Sequence, residues 1–226
     1  VQKDIPKTSA ARKAKELIIE DVIVVRTMQG YLKSIPVKAY REARVNIEKV
    51  KARTDDILLL FSSLGKLYRL KVSEIKQCAV GDKGTALGAI LTLDPTEKIL
   101  FMTNMNIDQK HPYITGVTEQ GLVKKSDKTI FIGSTQNKRG MKCAGLNDGD
   151  KFIWFGETNG DHMILYTENH MGIQFKLDEI NPVGKTAKGV KGINLGDTDR
   201  IARVTIGPES KKLPVQHRAG KGIKLS

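Results

Sequence analysis

Cysteine is nearly missing from this chain. Cys78 and Cys143 are the only two in 226 residues, and with no CxxC pair they support neither a zinc site nor a disulfide framework. The expected setting is reducing and cytoplasmic. Aromatic residues reach only 5% and do not interleave with the basic ones, which argues against a platform stacking the bases of a single strand. Long apolar runs are also absent. The longest are strand-sized, well short of the roughly eighteen residues that span a bilayer, and no basic start precedes an apolar signal segment. Integral membrane insertion is therefore not expected, and no membrane is counted among the partners, an acidic membrane surface trailing nucleic acid as an anionic partner. Negative charge is the last deficit: 25 Asp and Glu face 38 Lys and Arg, leaving a formal net charge of +13. Such an excess points to an anionic partner, with nucleic acid the leading class.

Catalytic and metal-binding patterns are lacking as well. His111, His162, His170 and His217 are scattered, and neither HExxH nor GxSxG occurs. The segment Lys185-Thr186-Ala187-Lys188-Gly189 lacks P-loop spacing. Asn147, Asp148, Asp150 and Asp161 do not follow the EF-hand pattern, and turn chemistry accounts for them. No catalytic residue, metal or cofactor is expected.

What the chain does contain is an imperfect repeat. An apolar stretch, two or three small or polar residues, a glycine and a second stretch with Lys or Arg recur at Val22–Lys33, Ile57–Lys71, Tyr113–Lys125 and Met163–Lys176. Short runs rich in Val, Ile, Thr, Phe and Tyr, punctuated by glycine, predict an all-β fold with hairpins centred at Gly30, Gly65, Gly121 and Gly172. Strand starts near Val22, Ile57, Ile99, Ile153 and Ile201 imply about five units, the last one short. Each unit is too small to bury its apolar face alone, so a propeller-like disc is the natural solution. Residues 1–20 read as a linker with a short helix over Ala10–Lys15, and residues 21–226 as the repeat domain. Trp154 and the hairpin residues Tyr31, Tyr68 and Tyr166 read as packing groups. The start at Val1 fits a portion of a longer protein.

The basic residues gather with glycine over 124–142, 184–192 and 203–226. Glycine lets a backbone approach a phosphate closely, while Lys and Arg supply charge and displace counterions. The candidate phosphate contacts are Arg41, Arg44, Lys124, Lys125, Lys138, Arg139, Lys185, Lys188, Lys191, Arg218, Lys221 and Lys224. A propeller-like module recognising an acidic protein is the competing reading.

The stretches Asp21–Val25 through Gly30–Pro36 and Tyr40-Arg41, Asp55–Phe61 through Gly65–Tyr68, and Lys185–Ile193 carry a family likeness. The chain resembles the C-terminal domain of the A-type subunit of bacterial type IIA topoisomerases, gyrase and topoisomerase IV. The resemblance implies a β-pinwheel, a disc of four-stranded blades whose basic rim binds and bends duplex DNA and presents it to the strand-passage core. It further implies an ATP-dependent A2B2 holoenzyme, formed with the remainder of the A-type polypeptide and the B-type ATPase polypeptide, whose catalytic tyrosine lies elsewhere. The chain alone is then not an enzyme. Gyrases carry a box of the form QRRGGRG after the first-blade tyrosine, but here Tyr40-Arg41 leads into Glu42-Ala43-Arg44. A box-like Gln216–Gly222 segment lies in the last unit instead. The departure favours a topoisomerase IV-like or divergent member.

Overall fold

A computed structural model describes residues 18–41, 47–106 and 109–225. The linker helix expected over Ala10–Lys15 and the candidate contact Arg44 lie outside these residues. The chain opens with the hairpin β1 (Asp21–Thr27) and β2 (Tyr31–Pro36), followed by β3 (Ile47–Arg53). A second hairpin, β4 (Ile57–Ser62) and β5 (Lys66–Lys71), precedes the two-residue β6 (Thr85–Ala86), and β7 (Ile99–Asn104) follows. The third hairpin, β8 (Tyr113–Thr118) and β9 (Leu122–Asp127), leads to β10 (Asn137–Lys142) and β11 (Phe152–Thr158). After the last hairpin, β12 (His162–Thr167) and β13 (Met171–Lys176), come β14 (Val190–Lys191), β15 (Ile201–Gly207) and β16 (Ile223–Lys224).

Among the described residues these strands form four antiparallel four-stranded sheets, ordered β3-β1-β2-β6, β7-β4-β5-β10, β11-β8-β9-β14 and β15-β12-β13-β16. The strand that completes each of the first three blades is delivered only after the chain has built the next hairpin, so successive blades interlock. This is the expected β-pinwheel with four sheets, not five. Of the five strand starts read from sequence, Val22 and Ile57 open hairpins, whereas Ile99, Ile153 and Ile201 belong to the flanking strands β7, β11 and β15. Counting both kinds inflates the total.

The core lies between blades, as thin sheets require. Every residue of β4 is buried, and its two faces serve different neighbours because side chains alternate along a strand. Leu58 and Leu60 join Val22, Val24 and Leu32 of the first blade. Leu59 and Phe61 join Ile114, Phe131, Phe152 and Phe155 toward the third. A third core, with Val117, Val123, Leu165, Ile173 and Phe175, joins the third blade to the fourth. On the opposite edge of the sheets β3 packs on β7, β7 on β11 and β11 on β15. Ion-paired side chains bridge the first two of these junctions. Arg26 binds Glu48 at 2.6 Å and donates across to the Ile99 and Leu100 carbonyls. Buried Lys128 meets Glu157 at 2.5 Å, and the Thr103 hydroxyl of β7 donates to the same carboxylate at 2.6 Å.

All four hairpin turns share one device. A Thr or Ser hydroxyl at the turn start accepts the amide four residues on, as Thr27 does from Tyr31, Ser62 from Lys66, Thr118 from Leu122 and Thr167 from Met171, at 3.1–3.2 Å. The residue three past that hydroxyl has positive φ: Gly30 (80°), Gly65 (67°), Gly121 (81°) and, in the fourth turn, His170 (58°). This is a type I turn closed by a left-handed residue. The expected centre at Gly172 is therefore corrected to His170, and Gly172 lies within β13.

Candidate nucleic-acid interface

The outer edge of each blade is formed by its shortest or most irregular strand, β6, β10, β14 or β16, and each carries the same local sequence. Aligned on one glycine, these are Lys83-Gly84-Thr85-Ala86, Arg139-Gly140-Met141-Lys142, Lys188-Gly189-Val190-Lys191 and Lys221-Gly222-Ile223-Lys224. Structural equivalence is close. The residue after each quartet donates its amide to the carbonyl of the hairpin-turn residue: Leu87 to Gly30, Cys143 to Gly65, Gly192 to Gly121 and Leu225 to His170, all at 2.8 Å. Glycine is required because the rim strand lies directly on the hairpin. A Cβ would meet the Leu32 carbonyl at 2.6 Å from Gly84, the Tyr68 ring at 2.8 Å from Gly140, the Val123 carbonyl at 2.7 Å from Gly189, and the Gly172 carbonyl at 2.6 Å from Gly222.

The four motifs are also joined to one another. The carbonyl two residues before each of the last three glycines accepts an amide from the segment that follows the preceding motif: Thr92 to Lys138 (2.8 Å), Gly145 to Ala187 (3.0 Å) and Asn194 to Gly220 (2.8 Å). All seven basic side chains of the quartets are exposed. Lys83 sits 4.3 Å from the Tyr31 ring centroid, and Lys188 and Lys191 reach only the neutral amides of Asn147 and Asn194. A row of ammonium groups on glycine-bearing edges suits phosphates, which are bound by charge and close backbone approach.

The expected contacts divide. Arg139, Lys188, Lys191, Lys221 and Lys224 lie on the exposed rim strands, with Lys185 and Arg218 partly exposed beside them. Arg41 is exposed but removed from the quartets, in the turn after β2, where its guanidinium holds the Lys38 and Tyr40 carbonyls. Lys138 is paired with Glu74, which holds that carboxyl below its usual range. Lys124 and Lys125 are corrected: they are 3% and 4% exposed. Lys124 Nζ donates to the Cys143 and Lys185 carbonyls at 2.7 and 2.9 Å, and Lys125 Nζ to the Leu177 carbonyl at 2.8 Å. Burial lowers both ammonium groups, Lys124 to about 8, and pushes the neighbouring Cys143 thiol up to about 12.

These two lysines fasten connecting segments to a hairpin, as Lys33 does through the Val80 and Asp82 carbonyls and Arg69 through that of Phe131. Lys83 and Lys142 share the motif positions but are not among the contacts expected from sequence, although Lys142 lies in the basic 124–142 cluster. Alignment on the motif glycine, rather than on clusters of charge, is the signal that finds them.

Tyr68 is fully buried, while Arg203 lies 4.0 Å from the Tyr166 ring centroid. The Trp154 indole covers Gly156 and packs on the core between the last two blades. Asp150 acts as a turn residue, its Oδ1 accepting the Gln120 and Lys151 amides. Among the described residues no group of His, Cys, Asp and Glu could hold a metal, and no helix is long and apolar enough to cross a membrane.

Interlocked blades around shared cores, with one motif repeated along a basic rim, define a propeller-type repeat protein. The chain belongs to the family described as DNA gyrase C-terminal domain, beta-propeller, whose model matches residues 21–44, 56–104, 161–206 and 210–226. Among its relatives, the DNA gyrase A protein of Salmonella typhimurium is 31% identical over 220 residues, covering 90% of this chain and 25% of that protein. The DNA gyrase A protein of Helicobacter pylori is 28% identical, covering 86% and 26%. The chain thus spans about a quarter of the length of the curated relatives it matches. Solved structures share the fold, two of them as follows. The C-terminal domain of DNA topoisomerase IV has a TM-score of 0.81 at 24% identity, covering 92% of this chain and 73% of that one. The DNA gyrase A C-terminal domain has a TM-score of 0.60 at 19% identity, covering 90% and 76%.

Proposed function

We propose that this chain is a duplex-DNA-binding and bending domain of a bacterial type IIA topoisomerase, acting without catalytic groups of its own. Duplex DNA lies along the rim and is presented to a strand-passage core formed by the remainder of the A-type polypeptide and the B-type ATPase polypeptide, in an A2B2 cytoplasmic holoenzyme. The observation that carries this reading is the fourfold rim motif: seven exposed cations at equivalent positions on linked strands, a pattern that solubility alone does not demand. Contacts of this kind go to phosphates and are largely independent of sequence. With about six phosphates neutralised, log affinity falls with log salt at a slope of about −5.

The first-blade segment Tyr40-Arg41-Glu42-Ala43-Arg44 lacks a glycine-rich basic box, so the domain bends DNA without strong chiral wrapping and is topoisomerase IV-like or belongs to a divergent gyrase. Ligation of nicked circular plasmid in its presence, read beside a mobility shift, tests both points. Binding with little change in linking number is expected. A linking-number shift that grows with protein would instead indicate gyrase-type wrapping. No duplex binding at moderate salt, with capture of an acidic protein, would replace this reading by the protein-interaction one.

A further inference from the structure

The rim is unevenly charged. At four residues before, one before and two after the motif glycine, the first blade carries Val80, Lys83 and Ala86, and the second Gln136, Arg139 and Lys142. The third carries Lys185, Lys188 and Lys191, and the fourth Arg218, Lys221 and Lys224. Positive charge at equivalent places therefore climbs from one residue to two and then to three.

The surroundings of the four edges differ as well. In the first blade Lys83 is preceded by Asp82 and rests on Tyr31. In the second, Glu74 takes Lys138, and Asp94 and Glu97 take Lys66, whose backbone pairs with that of Lys142. There Glu74 offsets Lys138, and Asp94 and Glu97 exceed Lys66 by a single negative charge. At the third and fourth blades Lys188 and Lys191 bind neutral amides, and the Arg218 guanidinium binds the Glu179 and Lys191 carbonyls.

Acids lie at this end too, hydrogen-bonded to neutral amides. Glu179 accepts the Arg218 amide and faces His217, and Asp199 accepts the Asn169 and Arg200 amides. The two basic motifs here are joined, with Ala219 donating to Gly192 at 2.7 Å and Asn194 to Gly220 at 2.8 Å.

We propose that the grip on duplex DNA is concentrated on the third and fourth blades, along Lys185, Lys188, Lys191, Arg218, Lys221 and Lys224, while the first and second blades are engaged only lightly. The inference rests on the duplex-binding reading and assigns a polarity to it: the duplex is anchored at the late blades and released toward the first.

The test uses this 226-residue chain, a mixed-sequence linear duplex and fluorescence anisotropy across a KCl series. Two triple variants remove three exposed rim charges each: Lys188→Gln/Lys191→Gln/Lys221→Gln, and Lys83→Gln/Arg139→Gln/Lys142→Gln. Since each phosphate contact contributes about 0.9 to the slope, the first variant should flatten the log affinity against log salt plot by about 2.7 and the second by less than one. Equal flattening, or greater flattening in the second variant, overturns the polarity while leaving duplex binding intact. Salt-independent or undetectable binding by the unmodified chain overturns the underlying reading instead. Lys191→Gln against Lys142→Gln, the same register position on adjacent blades, repeats the comparison with one charge should either triple variant fail to fold.

Discussion

Replacing Lys124 with Met probes the division between rim cations and internal clamps. Burial holds the Lys124 ammonium at about 8 against an ordinary 10.5, while its two carbonyl partners keep it in place. A depressed lysine pKa means that the unfolded chain holds the proton more tightly than the native one between those two values. Stability from this group therefore rises as pH climbs from about 8 toward 10.5, and is flat below. At 1.36 kcal/mol per unit, these limits give a gain on the order of 1 kcal/mol between pH 7 and 9.

Lys124→Met abolishes that gain, whatever its net effect at neutral pH. Urea unfolding of both proteins at pH 7, 8 and 9 isolates the effect, because subtraction cancels the groups that Lys124 does not touch, and the neighbouring Cys143 thiol, pushed up to about 12, stays protonated in the native chain over this range. The stability difference between them should shift by about 1 kcal/mol in favour of the lysine protein across this range. Parallel pH profiles would refute the reasoning, placing the ammonium in water where it could meet a phosphate.

Two further substitutions test the frame that positions the rim. Gly84→Ala would put a Cβ 2.6 Å from the Leu32 carbonyl at φ 83°, whereas Gly30→Ala at φ 80° meets open space. The second should cost about 1 kcal/mol for the left-handed backbone alone, the first at least about 2 kcal/mol more, and equal losses in urea unfolding would show that the rim strand is not pressed on β2. Glu157→Gln strips the charge partner from Lys128, which is 1% exposed. A loss of about 3 kcal/mol is expected from leaving a buried cation without its carboxylate, and unchanged thermal stability would contradict that role for the pair.

Much of the blade architecture was legible because strand alternation and turn chemistry are local. The Thr or Ser hydroxyl three residues before a left-handed position marks all four turns, even where His170 replaces glycine. Blade number was less legible, since Ile99, Ile153 and Ile201 begin flanking strands whose apolar pattern resembles that of a hairpin. The interlocking of blades, with β6 returning across the second hairpin, is a long-range pairing that periodicity does not encode.

At the candidate interface, charge clustering misassigned Lys124 and Lys125. Both lie in β9 with Val123 and Ser126, where the strand is buried on both faces, so a lysine there must find carbonyls rather than water. The rim lysines share a short motif but sit far apart in sequence, and only their common pairing to the hairpins brings them into one row.

The central claim is that duplex DNA covers the rim lysines and leaves the internal ones untouched. Lysine acetylation with mass-spectrometric readout, with and without saturating duplex, tests it directly. Lys188, Lys191, Lys221 and Lys224 should react freely in the chain alone and be protected by duplex, while Lys33, Lys124, Lys125 and Lys128 stay unreactive in both. Rim lysines that react equally with and without bound duplex would contradict the claim.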